Sequence, residues 1–167
     1  MVFLLNECKT IGREYSIIIN RFEKKIKKDR RYFTYRNVSE DELIQIINQR
    51  GLDLLENALD ELNSQITINH NVNFDDRDDD LEVFNFDLYR SDADLISDAM
   101  IVKYMEEEEV KLNKMETYLG NDIKTYCPAD ERNSFLNMEK IKKSELMNKL
   151  DNYNTRDRRS NQPLLVY

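Results

Sequence analysis

Residues 73–86 read NFDDRDDDLEVFNF, and their spacing decides how the chain is organised. Phe84, Phe86 and Leu88 recur at every second position, with Asn85 and Asp87 between them. Upstream, Ile66, Ile68, Val72 and Phe74 alternate with polar residues, and His70 shares their register. Period two on both sides of a polar run predicts a β-hairpin over 66–88. Its connection, Asp75, Asp76, Arg77, Asp78, Asp79 and Asp80, contains no glycine and is longer than a two-residue turn. A mobile, solvated tip that meets a partner is the expectation for these six residues.

The same aspartates partly match a calcium loop. Asp76, Asp78 and Asp80 match positions 1, 3 and 5 of an EF-hand loop, and Asp87 matches position 12. Position 6 needs the sharp turn of a glycine and is Leu81. Position 12 is an aspartate, too short for the bidentate glutamate, and the flanks read as strands. A calcium-binding domain is therefore only the lesser alternative, and the expectation is no metal and no cofactor.

Outward from the hairpin the period becomes helical. Residues 6–30 carry Ile11, Tyr15, Ile18, Ile19, Phe22 and Ile26 on one side. Ser39, with Glu42 three residues later, forms a capping-box signature, and Val38 and Leu43 are spaced for a hydrophobic staple. The helix that follows buries Leu43, Ile46, Ile47, Leu54, Leu55, Ala58, Leu59 and Leu62. Gly51 lies on that face, where its propensity cost of about 1 kcal/mol points to close packing or a bend. Ser91 and Asp94 predict a second start, for a helix over 92–119 with Leu95, Ala99, Val102, Met105, Leu112, Met115 and Leu119 inward. Gly120 suits its end. Pro128 opens a last helix over 128–152, with Phe135, Met138, Ile141, Leu146, Leu150 and Tyr153 inward.

Composition agrees with long, solvated helices: 35% of the 167 residues are charged, against three glycines and two prolines. The net charge of −8 argues against nucleic acid as the main partner. The charge is split, however. Residues 21–36 hold eight basic side chains against Glu23 and Asp29, and residues 75–109 hold fourteen acids against Arg77, Arg90 and Lys103. Such a split suits head-to-tail contact between copies, or simply two solvated faces. Cys8 and Cys127 are too few for a disulfide framework or zinc site and are expected to be reduced. The start, MVFLLNECKT, reads as neither a signal peptide nor a membrane span.

No catalytic set emerges. The four glutamates 106–109 point around more than half of a helix and lack the E-x-x-H pairs of di-metal bundles. His70 stands without a nucleophile pattern, and the phosphate-loop, nucleophile-elbow and zincin signatures are missing. The expectation is a protein that is not an enzyme. The C-terminal stretch, NTRDRRSNQPLLVY, loses helical period after residue 153. Arg156, Arg158 and Arg159 suit an acidic surface. Leu164, Leu165, Val166 and Tyr167 suit a groove or a sheet edge on another chain. Four consecutive large apolar residues at a frayed end would be exposed for no gain.

Over roughly residues 22–155 the order of elements resembles the neck proteins of tailed bacteriophages, the head–tail connector or adaptor family. The resembling stretches are FEKKIKKDRRYFTYRNVSEDEL, VFNFDLYRSDADLISDAMIVKYM and NDIKTYCPADERNSFLNMEKI. The chain departs from that pattern in KYMEEEEV, which is more acidic, and in lacking prolines between helix and hairpin. The resemblance implies a structural virion protein, made in the host cytoplasm and resident in the virion neck. It implies a homo-oligomeric ring of about twelve copies, contacting the portal protein and the tail or a second neck protein. Packaged DNA would pass through such a channel without specific binding. A non-enzymatic protein-interaction adaptor is the alternative. In fold class the chain is expected to be mainly α: a helical bundle of about four helices with one β-hairpin and an extended C-terminal arm. The helical domain would span 1–153 and the arm 154–167.

Overall fold

A computed structural model of the chain describes residues 10–26, 39–66, 72–119, 129–160 and 162–164. Among the described residues it is mainly helical, a bundle of four helices with a small three-stranded antiparallel sheet. In chain order the elements are β1 (Gly12–Glu14), α1 (Tyr15–Lys25), α2 (Glu40–Gln65), β2 (Arg77–Asp78), β3 (Val83–Leu88), α3 (Arg90–Leu119) and α4 (Ala129–Asn154). His70, Cys8, Cys127, Gly120 and Pro128 lie outside the described residues, as do Leu165, Val166 and Tyr167. Among the described residues no helix is long and apolar enough to cross a membrane.

α3 is the central element and packs against α1, α2 and α4. Its N-terminal half supplies Ala93, Leu95, Ile96, Ala99, Met100, Val102, Tyr104 and Met105 to the core. α1 adds Tyr15, Ile18 and Phe22, α2 adds Leu54, Leu55, Ala58, Leu59 and Leu62, and α4 adds Leu146, Leu150 and Tyr153. α2 begins as its sequence signature requires. Ser39 accepts the Glu42 N–H at 3.3 Å, and the Glu42 carboxylate accepts the Ser39 N–H at 2.9 Å. Gly51 sits where α1 crosses α2. A Cβ there would lie 3.1 Å from Cγ2 of Ile19, so the close approach is real and its absence of side chain is used.

Three local expectations are corrected. The first helix does not begin at residue 6: Gly12–Glu14 is a strand paired with β3, and helix starts only at Tyr15. Gly12 has φ +127°, and its pairing with Leu88 is followed by a register irregularity before Glu14. The hairpin is also shorter than 66–88. Ile66 is the C-cap of α2, Val72–Phe74 is not strand, and the strand facing β3 is Arg77–Asp78, inside the acidic run itself. Residues 67–71 fall outside the described set. Finally, Ser91 does not cap α3. The helix starts at Arg90, and Asp92 reaches back to accept the Tyr89 N–H at 2.7 Å.

The outer halves of α3 and α4 run past the core. Met115, Met138 and Ile141, expected inside, are 54%, 48% and 57% exposed. In α4 the buried positions are Glu139, Leu146, Leu150 and Tyr153, and Phe135, also expected inside, is partly buried against the core. Glu139 is buried against Lys143, one turn on.

Candidate functional site

The acidic run is a folded corner whose carboxylates have specific tasks. Asp75 accepts from the Asn63 side chain at 2.6 Å, Asp76 from the Asn85 side chain at 2.8 Å, and Asp78 from the Leu81 N–H at 3.0 Å. Asp79 accepts from the Tyr15 hydroxyl at 2.7 Å and from Arg77 Nε at 3.1 Å. Burial, then the hydrogen bond and charge of Asp79, push the Tyr15 hydroxyl pKa well up. Glu82 takes the left-handed conformation, φ 53°, and its carbonyl accepts the Tyr15 N–H at 2.9 Å. Beneath lies an aromatic cluster: Phe84 packs against Tyr15 at 4.9 Å and Phe86 at 5.3 Å between ring centroids. Of the six expected tip residues, Asp80 alone has no such bond among the described residues, and Arg77 is half-buried. The tip is thus tied to α1 and α2. No cluster of three or more His, Cys, Asp or Glu with metal-binding geometry occurs among the described residues.

The C-terminal segment is fastened to the body by a buried ionic node. Asp92, fully buried on the first turn of α3, accepts from Tyr153 at 2.9 Å and from Arg158 Nε at 3.0 Å and Nη2 at 2.7 Å. Arg158 also donates to the Asp87 carbonyl at 2.6 Å, and its guanidinium lies over the rings of Tyr89 (4.8 Å) and Phe86 (5.0 Å). Burial, then the charge of Asp92, raise the Tyr153 hydroxyl pKa.

Beyond α4 the chain turns back on itself. Arg156 bridges Pro163, and Leu164 N–H donates to the Thr155 carbonyl at 2.9 Å. Asp157 holds the turn by accepting from Ser160 N and Oγ and from Arg159 N. Of the residues expected to meet a partner, Arg158 is therefore engaged within the chain, Arg156 and Arg159 are exposed, and Leu164 is half-buried. Sequence reading missed the node, because its members lie 61 to 66 residues apart.

Part of the charge split is also consumed within the chain. Arg21 pairs with Asp94, Lys25 and Lys149 both pair with Asp98, and Arg50 meets Glu107 and Glu108 at 3.2 and 3.0 Å. Lys103 joins Glu61 of α2 to Glu106 of α3, and Lys143 of α4 meets Glu106 at 3.0 Å. The four glutamates 106–109 are thus in part a seam between helices. Outside this seam the distal α3–α4 hairpin exposes Val110, Met115, Tyr118, Met138 and Ile141, with Tyr118 86% exposed. Arg132 of α4 pairs with Glu116 of α3 at 2.8 Å and braces the two helices there.

Comparison with protein-family models, characterised proteins and solved structures finds no match to this chain.

Proposed function

We propose that this chain is a structural protein of the neck of a tailed phage, acting by assembly rather than chemistry. In this reading copies form a ring between portal and tail, and packaged DNA passes through it without specific binding. The resemblance in element order motivates it. The observation that supports it best is the distal α3–α4 hairpin, with five large apolar side chains exposed on a braced pair of helices. Exposed apolar side chains grouped on a rigid element mark an interaction surface. A bundle cross-tied by ion pairs is a rigid part, suited to repeated packing.

The second reading, a non-enzymatic adaptor that binds another protein as a monomer, draws on the same surface. Multi-angle light scattering with negative-stain imaging separates the two. A ring reading requires a multimer of fixed mass, or one that forms on addition of a portal. A chain that stays single in both conditions contradicts it and leaves the adaptor.

A further inference from the structure

A cleft of about 590 Å³ opens between the ends of α1 and α4, the start of α3 and the C-terminal turn. Its volume is that of a small-molecule site. Its charge runs against that of the whole chain. Lys25 and Lys149 share the single carboxylate of Asp98, which leaves one positive charge in excess. Asp94, on the cleft wall, is paired with Arg21 and Arg90 from outside it. Arg158 is balanced by Asp92. Asp157 accepts from the N–H groups of Arg159 and Ser160 and from the Ser160 hydroxyl rather than from Arg156. The exposed Arg156 guanidinium at the cleft has no carboxylate partner among the described residues. Among the residues that line it, Lys25, Lys149, Arg156 and Arg158 stand against Asp94, Asp98 and Asp157, an excess of one positive charge in a protein of net charge −8. On its wall, Ser91 Oγ is buried without a hydrogen-bond partner. A buried hydroxyl left unpaired is costly and calls for an acceptor.

We infer that this cleft binds a phosphate monoester of small-metabolite size. A phosphate group near neutral pH carries between one and a half and two negative charges and presents three acceptor oxygens. Its charge is opposite in sign to the excess in the cleft, and its oxygens suit the two-pronged guanidinium of Arg156 and the donor of Ser91. Leu95 and the ring of Tyr153 line the remainder and suit the less polar body of an ester. The inference stands apart from the neck reading, since it concerns the opposite end of α3 from the exposed hairpin.

The test is isothermal titration calorimetry of the full chain with inorganic phosphate and, separately, with glucose 6-phosphate, at fixed ionic strength. Saturable one-to-one binding is expected, weakened at least about tenfold in Arg156→Gln with an unchanged circular dichroism spectrum. Tighter binding of the ester places the organic body in the cleft; equal binding limits recognition to the phosphate group. Ser91→Ala, which leaves every ion pair in place, is the second variant and weakens binding as well. No saturable heat from either probe at millimolar concentration, or binding unchanged in both variants, overturns the inference.

Discussion

At the scale of single residues, Asp92 matters most. Its carboxylate is fully buried and is stabilised only by the groups around it: Tyr153, Arg158 and the Tyr89 N–H. Taking one partner from a buried ion pair leaves the other charge uncompensated, at a cost of about 3–5 kcal/mol. Asp92→Asn is therefore expected to lower unfolding stability by about that amount, read from the urea midpoint. Tyr153→Phe removes one hydrogen bond to a charged group and should cost about 1.5–3 kcal/mol. Combining Asp92→Asn with Arg158→Gln should cost less than the sum of the two single changes. Strict additivity would show that the node is not one unit. At the other cap, Ser39→Ala should destabilise by about 1 kcal/mol through the start of α2. Circular dichroism melting would read it, and an unchanged transition would contradict the capping box.

At the scale of elements, the helices are held in register by ion pairs whose pH dependence follows from their surroundings. Burial pushes the Asp98 pKa up, but hydrogen bonds from Lys149 and Lys25 outweigh it and hold it below its ordinary value of 3.8. Glu106 is likewise lowered from 4.5, burial being outweighed by Lys143 and Lys103. A carboxylate with a depressed folded pKa binds protons more readily when unfolded. Its stabilisation is present above the unfolded value and is lost as pH falls through the folded one. Stability should therefore fall as pH drops below the ordinary carboxylate range. Asp98→Asn should flatten that fall, measured as urea midpoints across acid pH. A variant profile as steep as the wild type would remove Asp98 from the account.

The elements also show which parts of the fold were legible. Helix α2 could be read because its signals are local: Ser39 and Glu42 sit three apart, and Leu54, Leu55, Ala58, Leu59 and Leu62 repeat with the helical turn. Strand β1 could not, because Gly12–Glu14 lies between Ile11 and Tyr15, whose four-residue spacing also fits helix, and a three-residue strand exists only through its partner β3. Strand β2 was hidden in the aspartates, whose pairing depends on Tyr15, Asn63 and Asn85 from other segments. Ile141 and Met138 have core-like identities yet are about half exposed, and burial depends on tertiary packing that no local pattern reports. The Asp92 node joins two stretches of chain, with Tyr153 and Arg158 lying 61 and 66 residues from Asp92, so its function as a fastener was equally out of reach.

At the scale of the molecule, one end is closed and the other open. The sheet, the Asp92 node and the turned-back C-terminal segment consolidate the end that holds the start of α3. The far end is a two-helix hairpin with exposed apolar side chains. The proposed assembly places that open end against a neighbouring chain. Its direct test is the solution mass of the wild type beside Tyr118→Glu, by multi-angle light scattering with circular dichroism as the control for folding. The account predicts a multimer of fixed mass for the wild type, alone or with a portal, and a single chain of unchanged helicity for the variant. A wild type that remains a single chain under both conditions, or a variant that assembles equally well, would contradict it.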